Sequence, residues 1–344
     1  MEKYLIPMVP GPVSVPREIL NAGALDFGSA DLEPEYVSLY LETERLLQEI
    51  MRTRSRVVIQ TGEGMLGLWT AMKSTLRAGD RVLALSTGLF GEGFADMARS
   101  IGCETRLEAF GDDETLRDFE RVERAVREFR PKMITMVQNE TPSGTMNPVR
   151  EVGEIKERLG VPLLCVDVVS GVGGTDVRVD EWKVDLALGG SQKCLSAPAA
   201  MSFLSVSEAA WEAVREVGYE GYEALAPFRT AAETGYFPYT PYWQGTAQLK
   251  RACELVVEEG VENCVARHER MARYCRERVR EMDLELFPAE GAAPSPTVTA
   301  VKVPAYTTWE LAGRVFRLGH MGSQANMNLL KEAMDILETV VHDI

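Results

Sequence analysis

The sequence has few cysteines, a shortage of positive charge and no long apolar run, and each shortage excludes a class of protein. Its 344 residues carry 37 basic against 52 acidic side chains, a formal net charge of −15, so nothing indicates a basic surface for nucleic acid or anionic lipid. No stretch approaches the roughly 18 uninterrupted apolar residues of a membrane-spanning helix. The six cysteines are scattered, with no C-x-x-C pair, so we expect neither a disulfide framework nor a metal site, and a cytoplasmic location.

Short apolar runs that alternate with amphipathic stretches dominate the first two thirds of the chain. The runs predict strands at Arg56–Gln60, Arg81–Ser86, Lys132–Gln138, Pro162–Asp167, Val184–Gly189 and Ser202–Val206. The stretches between them predict helices at Met65–Leu76, Glu92–Ile101, Leu116–Phe129 and Glu151–Leu159. This order is typical of an α/β fold with a mostly parallel sheet between helices, which binds its ligands at the carboxyl ends of the strands.

The last third of the chain predicts a smaller α+β unit. A helical tract over Gly245–Met282 leads to strands Thr297–Val303 and Arg314–Leu318 and to a final helix near Ala325–Val341. The proline-rich opening predicts an extended arm, with a frayed terminus as the alternative. We therefore expect an arm over 1–15, a large cofactor-binding domain over 16–255 and a small C-terminal domain over 256–344.

Asp167 and Lys193 follow two successive strands and are the first candidates for chemistry. A carboxylate at the end of a buried strand is costly unless it is paired, and a protonated pyridine nitrogen is a suitable partner. A lysine at the same sheet edge can form an imine with a cofactor aldehyde and then carry protons. Taken singly, Asp167 could start a turn and Lys193 could be a solvated loop lysine, so their joint placement carries the argument.

The segment Gly62–Gly67 fits the G-x-G-x-x-G pattern of dinucleotide-binding proteins, but its context does not. That fold needs an acidic residue at the carboxyl end of the second strand, whereas Asp80 precedes the strand Arg81–Ser86. We reject the dinucleotide interpretation. A glycine-containing helix start remains a suitable phosphate site.

Several motifs together resemble the class V aminotransferases, a group of fold-type I enzymes that use pyridoxal 5'-phosphate (PLP) and include alanine–glyoxylate and serine–pyruvate aminotransferases. The motifs are, in family order, Glu140-Thr-Pro-Ser-Gly-Thr, Val166-Asp-Val-Val-Ser-Gly, Gly190-Ser-Gln-Lys-Cys-Leu-Ser-Ala-Pro, Phe237-Pro-Tyr-Thr-Pro and Arg317-Leu-Gly-His-Met-Gly. The resemblance implies the PLP-dependent transferase fold of type I. It also implies a ping-pong transfer of an amino group from a small amino acid (alanine, serine or glycine) to glyoxylate or pyruvate.

The resemblance also implies a role for each matching residue. Lys193 would bind the cofactor covalently, Asp167 would pair with the pyridine nitrogen, and Arg317 would grip the substrate carboxylate through a two-pronged contact. The remaining cofactor contacts would come from Glu63, Gly64, Met65, Phe90, Thr141, Val169, Gln192, Tyr239 and Thr240. Of these, Phe90 and Val169 would cover the two faces of the ring, although both could be plain core residues. Tyr239 and Thr240 would come from the partner subunit of a homodimer.

Glu63 departs from the family pattern, which has a small polar residue that donates to the phosphate. A carboxylate about 4 Å from a phosphate would cost roughly 4 kcal/mol per charge pair at an effective dielectric constant of 20. Glu63 must therefore turn away, pair with a cation, become protonated, or face a ligand without phosphate. The last option resembles pyridoxamine–pyruvate transaminase, which has a glutamate here but follows it with proline, whereas Gly64 and Met65 keep their N–H donors. We favour PLP.

A second departure is the short connection over residues 304–313, where the family has a helix, a strand and a glycine-rich turn. Either the small domain is reduced or a loop is missing from the sequence, and a non-catalytic protein of the same fold is a further alternative. Retention of Asp167, Lys193 and Arg317 argues against the non-catalytic interpretation. A cysteine desulfurase is disfavoured because the last cysteine, Cys275, lies on a predicted helix.

Overall fold

The computed structural model describes residues 6–25, 28–303 and 314–342, and its main feature is a seven-stranded sheet. In spatial order the strands are β1 (Arg56–Thr61), β9 (Met201–Val206), β8 (Leu186–Gly190), β7 (Leu163–Asp167), β4 (Met133–Val137), β2 (Arg81–Ser86) and β3 (Glu104–Ala109). Strands β8, β7, β4, β2 and β3 pair in parallel, and β9 pairs antiparallel with both β8 and β1. The predicted mostly parallel α/β sheet is confirmed.

Helices separate these strands as the amphipathic pattern predicts. The large unit contains α1 (Arg17–Ala22), α2 (Pro34–Met51), α3 (Gly64–Thr75), α4 (Leu89–Ile101), α5 (Phe119–Phe129), α6 (Val149–Leu159), α7 (Glu208–Val217), α8 (Ala231–Thr234) and α9 (Trp243–Glu259). A short hairpin of β5 (Asn139–Glu140) and β6 (Thr145–Met146) follows β4. The four helices predicted between strands are present within a few residues of their predicted ends.

The predicted helical tract over Gly245–Met282 is helical, and it consists of two helices. Helix α9 ends at Glu259, and α10 (Val261–Glu281) begins after Gly260, whose φ of +90° lies outside the helical range. The turn at this glycine separates two helices that the continuous helical pattern had merged.

A second hydrophobic cluster lies in the C-terminal part of the chain. It joins α10 to the antiparallel pair β10 (Val298–Lys302) and β11 (Val315–Gly319) and to α11 (Met327–His342), with Cys275, Val301 and Leu330 fully buried. The domain boundaries at 15/16 and 255/256 stay a prediction. The short connection at 304–313 lies outside the described residues.

The described part of the opening segment forms hydrogen bonds to the turn after β8 and to the C-terminal part of the chain. Val13 donates its N–H to the carbonyl of Gln192 (3.1 Å), and the N–H of Gly319 donates to the carbonyl of Met8 (2.8 Å). Gln324 donates its side-chain amide to the carbonyl of Val9 (2.9 Å). These bonds hold residues 8–13 beside the turn after β8, and the backbone bends at residues 10–12. The extended arm over 1–15 stays a prediction.

Among the described residues, no helix combines the length and the apolar character that a membrane crossing requires.

Candidate active site

Lys193 lies in the turn that follows β8, and its side chain points into a half-buried space. Its ammonium donates to the carbonyl of Pro10 (2.6 Å). Burial lowers the pKa of Lys193; Asp167 opposes this shift by its negative charge, and Arg317 adds to it by its positive charge. A lysine whose pKa is lowered has a larger fraction of neutral amine, which is the nucleophilic form.

Asp167 is the last residue of β7 and is almost fully buried, with 7% of its surface exposed. One carboxylate oxygen accepts the N–H of Val169 (2.8 Å). Burial raises the pKa of Asp167 to about 6, the hydrogen bond and the charge of Lys193 lower it, and Glu63 raises it further. A cationic N–H donor at the carboxylate would lower this pKa again, so the site suits a protonated pyridine ring.

The amino end of α3 lies beside these two residues and offers unpaired N–H donors. The first intrahelical hydrogen bond comes from Leu66 to the carbonyl of Glu63 (2.9 Å), so the N–H groups of Gly64 and Met65 precede it. Such donors at a helix start bind anions. Glu63 itself is the residue before the helix, and its side chain does not cap the helix.

Glycines let this helix end approach β8 and the loop after β7. A Cβ added at Gly190 would lie 3.2 Å from the backbone nitrogen of Gly64, and one added at Gly64 would lie 3.0 Å from a methyl group of Val169. The buried amide of Gln192 donates to the carboxylate of Glu63 (3.1 Å), while its oxygen has no hydrogen-bond partner among the described residues. Glu63 is therefore satisfied by an amide, and the half-satisfied Gln192 remains available to a ligand.

Phe90 is the second residue of α4 and is half-buried, and a buried acid fixes the start of its helix. The carboxylate of Glu140 accepts the N–H groups of Phe90 (3.0 Å) and Gly91 (3.3 Å). Burial raises the pKa of Glu140 to about 7, and Asp167 contributes to that increase. Thr141 follows directly and is buried. Glu140 is a site residue that lies in one of the sequence motifs but is not among the predicted site residues.

Arg317 lies on β11 opposite Ala300, with an exposed side chain. Within the described ranges it forms no ion pair, and its charge acts on Lys193 across the site. The guanidinium is therefore available for a carboxylate, which it can bind through two parallel hydrogen bonds.

Tyr239 and Thr240 contact other parts of this chain. The ring of Tyr239 stacks on Tyr222, with centroids 4.5 Å apart and planes at 19°, and Thr240 donates to Asp31 (2.9 Å). The role predicted for them, as residues supplied to a partner subunit, stays a prediction.

The rejection of a dinucleotide site agrees with the position of Asp80. This residue lies at the amino end of β2 and accepts a hydrogen bond from Lys132 (2.8 Å). A ribose-binding acid would have to lie at the opposite end of that strand.

The described part of the chain contains no cluster of metal-binding side chains and no disulfide bond. No group of three or more histidine, cysteine or acidic side chains could hold a metal ion there, and all six cysteines are free and buried. Taken together, the residues at the carboxyl ends of the strands fit a pyridine-ring cofactor: an acid for the ring nitrogen, an amine for the aldehyde and a helix start for an anionic group.

Comparison with known proteins agrees with this chemistry. The family model "Aminotransferase class-V" matches residues 27–317. An aminotransferase of Methanocaldococcus jannaschii is 36% identical, covering 92% of this chain and 87% of its own, and the serine–glyoxylate aminotransferase of Methylorubrum extorquens is 31% identical, covering 94% and 87%. The crystal structure of pyridoxamine–pyruvate aminotransferase from Mesorhizobium loti superimposes with a TM-score of 0.90 at 26% identity, covering 100% of this chain and 99% of that one. The chain belongs to the class V aminotransferase family and is a PLP-dependent aminotransferase of fold type I.

Proposed function

We propose that this aminotransferase moves the amino group between a small amino acid (alanine, serine or glycine) and glyoxylate or pyruvate, with Lys193 as its catalytic residue. The observation that carries the proposal is that Asp167 ends β7 and Lys193 follows the adjacent parallel strand β8, at one edge of the sheet. The pKa of Lys193 responds to the negative charge of Asp167 and to the positive charge of Arg317. An amine, an acid for the ring nitrogen and a carboxylate receptor are the three groups that this reaction needs.

Bound PLP would supply an electron-accepting ring, and the protein would supply orientation and proton transfer. Asp167 would hold the ring nitrogen in its cationic form. Lys193 would remove the proton from the substrate Cα and deliver it to the aldehyde carbon of the cofactor. Arg317 would fix the substrate carboxylate, so that the Cα–H bond faces Lys193.

The other predicted contacts would hold the cofactor in place. Phe90 and Val169 would pack against the two ring faces, because Val169 follows Asp167 closely and Phe90 is fixed through Glu140. The anionic group would lie at the start of α3. Its neighbours there would be Glu63, Gly64, Met65, Thr141 and Gln192, joined by Tyr239 and Thr240 of a second subunit.

The substrate proposal is tested by a half-reaction screen. Holoenzyme is mixed with L-alanine, L-serine, glycine or L-aspartate in the absence of an oxo acid, and the visible absorbance of lysine-bound cofactor is followed. We expect rapid loss with the first three amino acids and restoration by glyoxylate or pyruvate. Loss with L-aspartate alone would overturn the small-substrate proposal, and no loss with any amino acid would favour a non-catalytic protein.

A second candidate function is supported by Glu63. This carboxylate lies at the start of α3, where an anionic cofactor group would bind, and a pyridoxamine–pyruvate aminotransferase is among the similar structures. Against it, Glu63 already accepts a hydrogen bond from Gln192, and the N–H donors of Gly64 and Met65 favour an anion.

Equilibrium titration of the apo-protein with PLP and with pyridoxal separates the two candidates. We expect PLP to bind at least ten-fold more tightly, and Glu63→Gln to strengthen PLP binding while leaving pyridoxal binding unchanged. Tighter binding of pyridoxal, reversed by Glu63→Gln, would favour pyridoxamine as the amino donor. The exposed Glu120→Gln serves as the charge-matched control.

The proposal includes a cytoplasmic homodimer. In a dimer, Tyr239 and Thr240 of one subunit would contact the cofactor site of the other. The exposed rings of Tyr222, Tyr236 and Tyr242 offer apolar surface for the contact between subunits. Six buried free thiols suit a reducing compartment.

A further inference from the structure

A cavity separate from the cofactor site lies between α10, β10 and the loop that contains Gly144. Its volume is about 590 Å³, within the range of small-molecule sites. Leu284, Leu286 and Val298 give it apolar walls, and Arg276 and Arg280 line it with positive charge. Its floor includes Ala300, the residue that pairs with Arg317 on the neighbouring strand.

Arg280 is exposed, so Arg276 is the half-buried guanidinium of this cavity that lacks a counter-ion among the described residues. It donates one N–H to the carbonyl of Ser295 (3.2 Å), and no carboxylate of the described ranges lies within ion-pair distance. Burial lowers the pKa of Arg276, and the positive charges of Arg273 and Arg280 add to that effect. Guanidinium has five N–H donors, so most of its hydrogen-bonding capacity is left without a protein partner.

Among the half-buried arginines of α10, only Arg276 has no acid within ion-pair distance in the described part of the chain, whereas the unpaired Arg270, Arg273 and Arg280 are exposed to solvent. Arg278 contacts Glu281, Asp335 and Glu338, and Arg267 forms a pair with Glu259. In a chain of net charge −15, a half-buried arginine that no acid contacts is a site that favours an external anion.

The acidic residues near the cavity do not form ion pairs with Arg276. Glu285 is exposed and accepts a hydrogen bond from Lys302 (2.9 Å), and Glu290 is exposed at the rim. On the same rim, the guanidinium of Arg117 donates to the carbonyl of Gly291 (2.5 Å) and adds positive charge. The less exposed part of the lining therefore consists of apolar side chains and Arg276, while Glu285 and Glu290 are exposed.

We infer that this cavity is a second ligand site, which takes an organic acid with its carboxylate on Arg276 and an apolar body against Leu284, Leu286 and Val298. The site is distinct from the substrate position, because neither Arg317 nor Lys193 nor Asp167 lines the cavity. A bound acid would contact the C-terminal part of the chain and also Gly144. Gly144 lies four positions after Glu140 and three after Thr141 in the sequence. The inference does not depend on the substrate proposed above.

The test uses 3-phenylpropanoate, which has a carboxylate and an apolar ring but neither an amino nor an oxo group, so that it cannot react. Calorimetric titration of the holoenzyme should show two sites. Arg317→Gln should remove only the substrate-position site, Arg276→Gln should remove only the second, and the double variant should bind neither. We expect Arg276→Gln to weaken its site by roughly 10- to 100-fold, since a hydrogen bond to a charged group contributes about 1.5–3 kcal/mol.

Arg273→Gln is the matched control, because Arg273 lies one turn away on α10 and does not line the cavity. It should leave both sites intact, and thermal melts of all variants verify folding. Inorganic phosphate is the second probe: if phosphate binds at Arg276 and 3-phenylpropanoate does not, the apolar part of the inference is wrong. Unchanged binding in Arg276→Gln, or a single site lost with Arg317→Gln, overturns the second site, whereas loss of the Arg317 site alone would concern only the proposed substrate position.

Discussion

At the scale of single residues, the molecule keeps an acid, Asp167, in a buried position where it has one backbone hydrogen bond. Its pKa of about 6 shows how strongly burial disfavours the charge when no cationic ring is present. A bound pyridinium would restore that charge, so the cofactor and the acid stabilise each other's ionised forms.

Replacing Asp167 by asparagine removes that mutual stabilisation. We expect Asp167→Asn to slow the half-reaction with L-alanine about 100-fold, because a hydrogen bond between charged groups contributes up to about 3 kcal/mol. Stopped-flow absorbance measures the rate. Asp96→Asn, an exposed acid paired with Arg99, is the control; equal rates for the two variants would contradict the role of Asp167.

The buried His268 gives a prediction for stability against pH. Its ring accepts the N–H of Gly322 (2.9 Å) and contacts the carbonyl of Cys264 (2.7 Å), and burial lowers its pKa to about 4. The unfolded chain therefore binds one more proton between about pH 6.5 and pH 4, so the free energy of unfolding falls as the pH falls through that window.

The matching experiment compares urea unfolding of wild type and His268→Gln at several pH values. Relative to the variant, wild type should lose up to about 3 kcal/mol between pH 6.5 and pH 4, since one pKa unit corresponds to about 1.4 kcal/mol. The exposed His342→Gln is the control. Parallel curves for wild type and His268→Gln would show that His268 is not protected from protonation in the fold.

The site residues at strand ends could be predicted from the sequence, because the apolar runs show where the strands end. Asp167 ends an apolar run, and Lys193 follows the next one, so a parallel sheet brings the two to one edge. The carboxylate of Glu140 was not predicted as part of the site, because its partners are backbone N–H groups at the start of α4, which a sequence does not reveal.

At the scale of elements, the start of α4 depends on Glu140. This acid accepts two of the orphan N–H groups of the helix, in a fully buried position. Glu140→Ala should lower the free energy of unfolding of the apo-protein by about 2 kcal/mol, because buried donors lose their acceptor. Urea denaturation measures the loss, and Glu92→Ala, an exposed acid in the first turn of the same helix, is the control. Similar losses in both variants would contradict a special role for Glu140.

In the seven-stranded sheet, the strands that the sequence predicted are mostly buried, whereas the one strand that it missed is partly exposed. β4 and β7 are buried along their whole length, so apolar runs mark them. β3 (Glu104–Ala109) is an edge strand with alternating polar residues and partial exposure, and its sequence carries no continuous apolar run. The break between α9 and α10 was missed because a single glycine interrupts an otherwise helical pattern.

At the scale of the whole molecule, the proposal requires two chains for each active site. Lys193→Ala removes the amine from one subunit's site, and a double change of Tyr239→Phe with Thr240→Val removes the groups that this subunit would lend to its partner. Each variant alone should be nearly inactive. If the two are unfolded and refolded together in equal amounts, about half the dimers are mixed, and each mixed dimer has one intact site, so about a quarter of the wild-type activity should return.

Mixing the folded variants under conditions where subunits do not exchange should restore no activity. This mixture controls for contamination by wild type. Absence of activity after refolding together, with a dimer seen by light scattering, would show that Tyr239 and Thr240 serve their own subunit.

The central claim is that Lys193 is the residue that binds the cofactor. Holoenzyme is reduced with borohydride, digested and analysed by peptide mass. We predict a phosphopyridoxyl mass increase on the peptide that contains Lys193 and none on peptides containing Lys73, Lys156 or Lys250, which form ion pairs elsewhere in the fold. A stable adduct on any other lysine, with an unmodified Lys193 peptide, would contradict this claim.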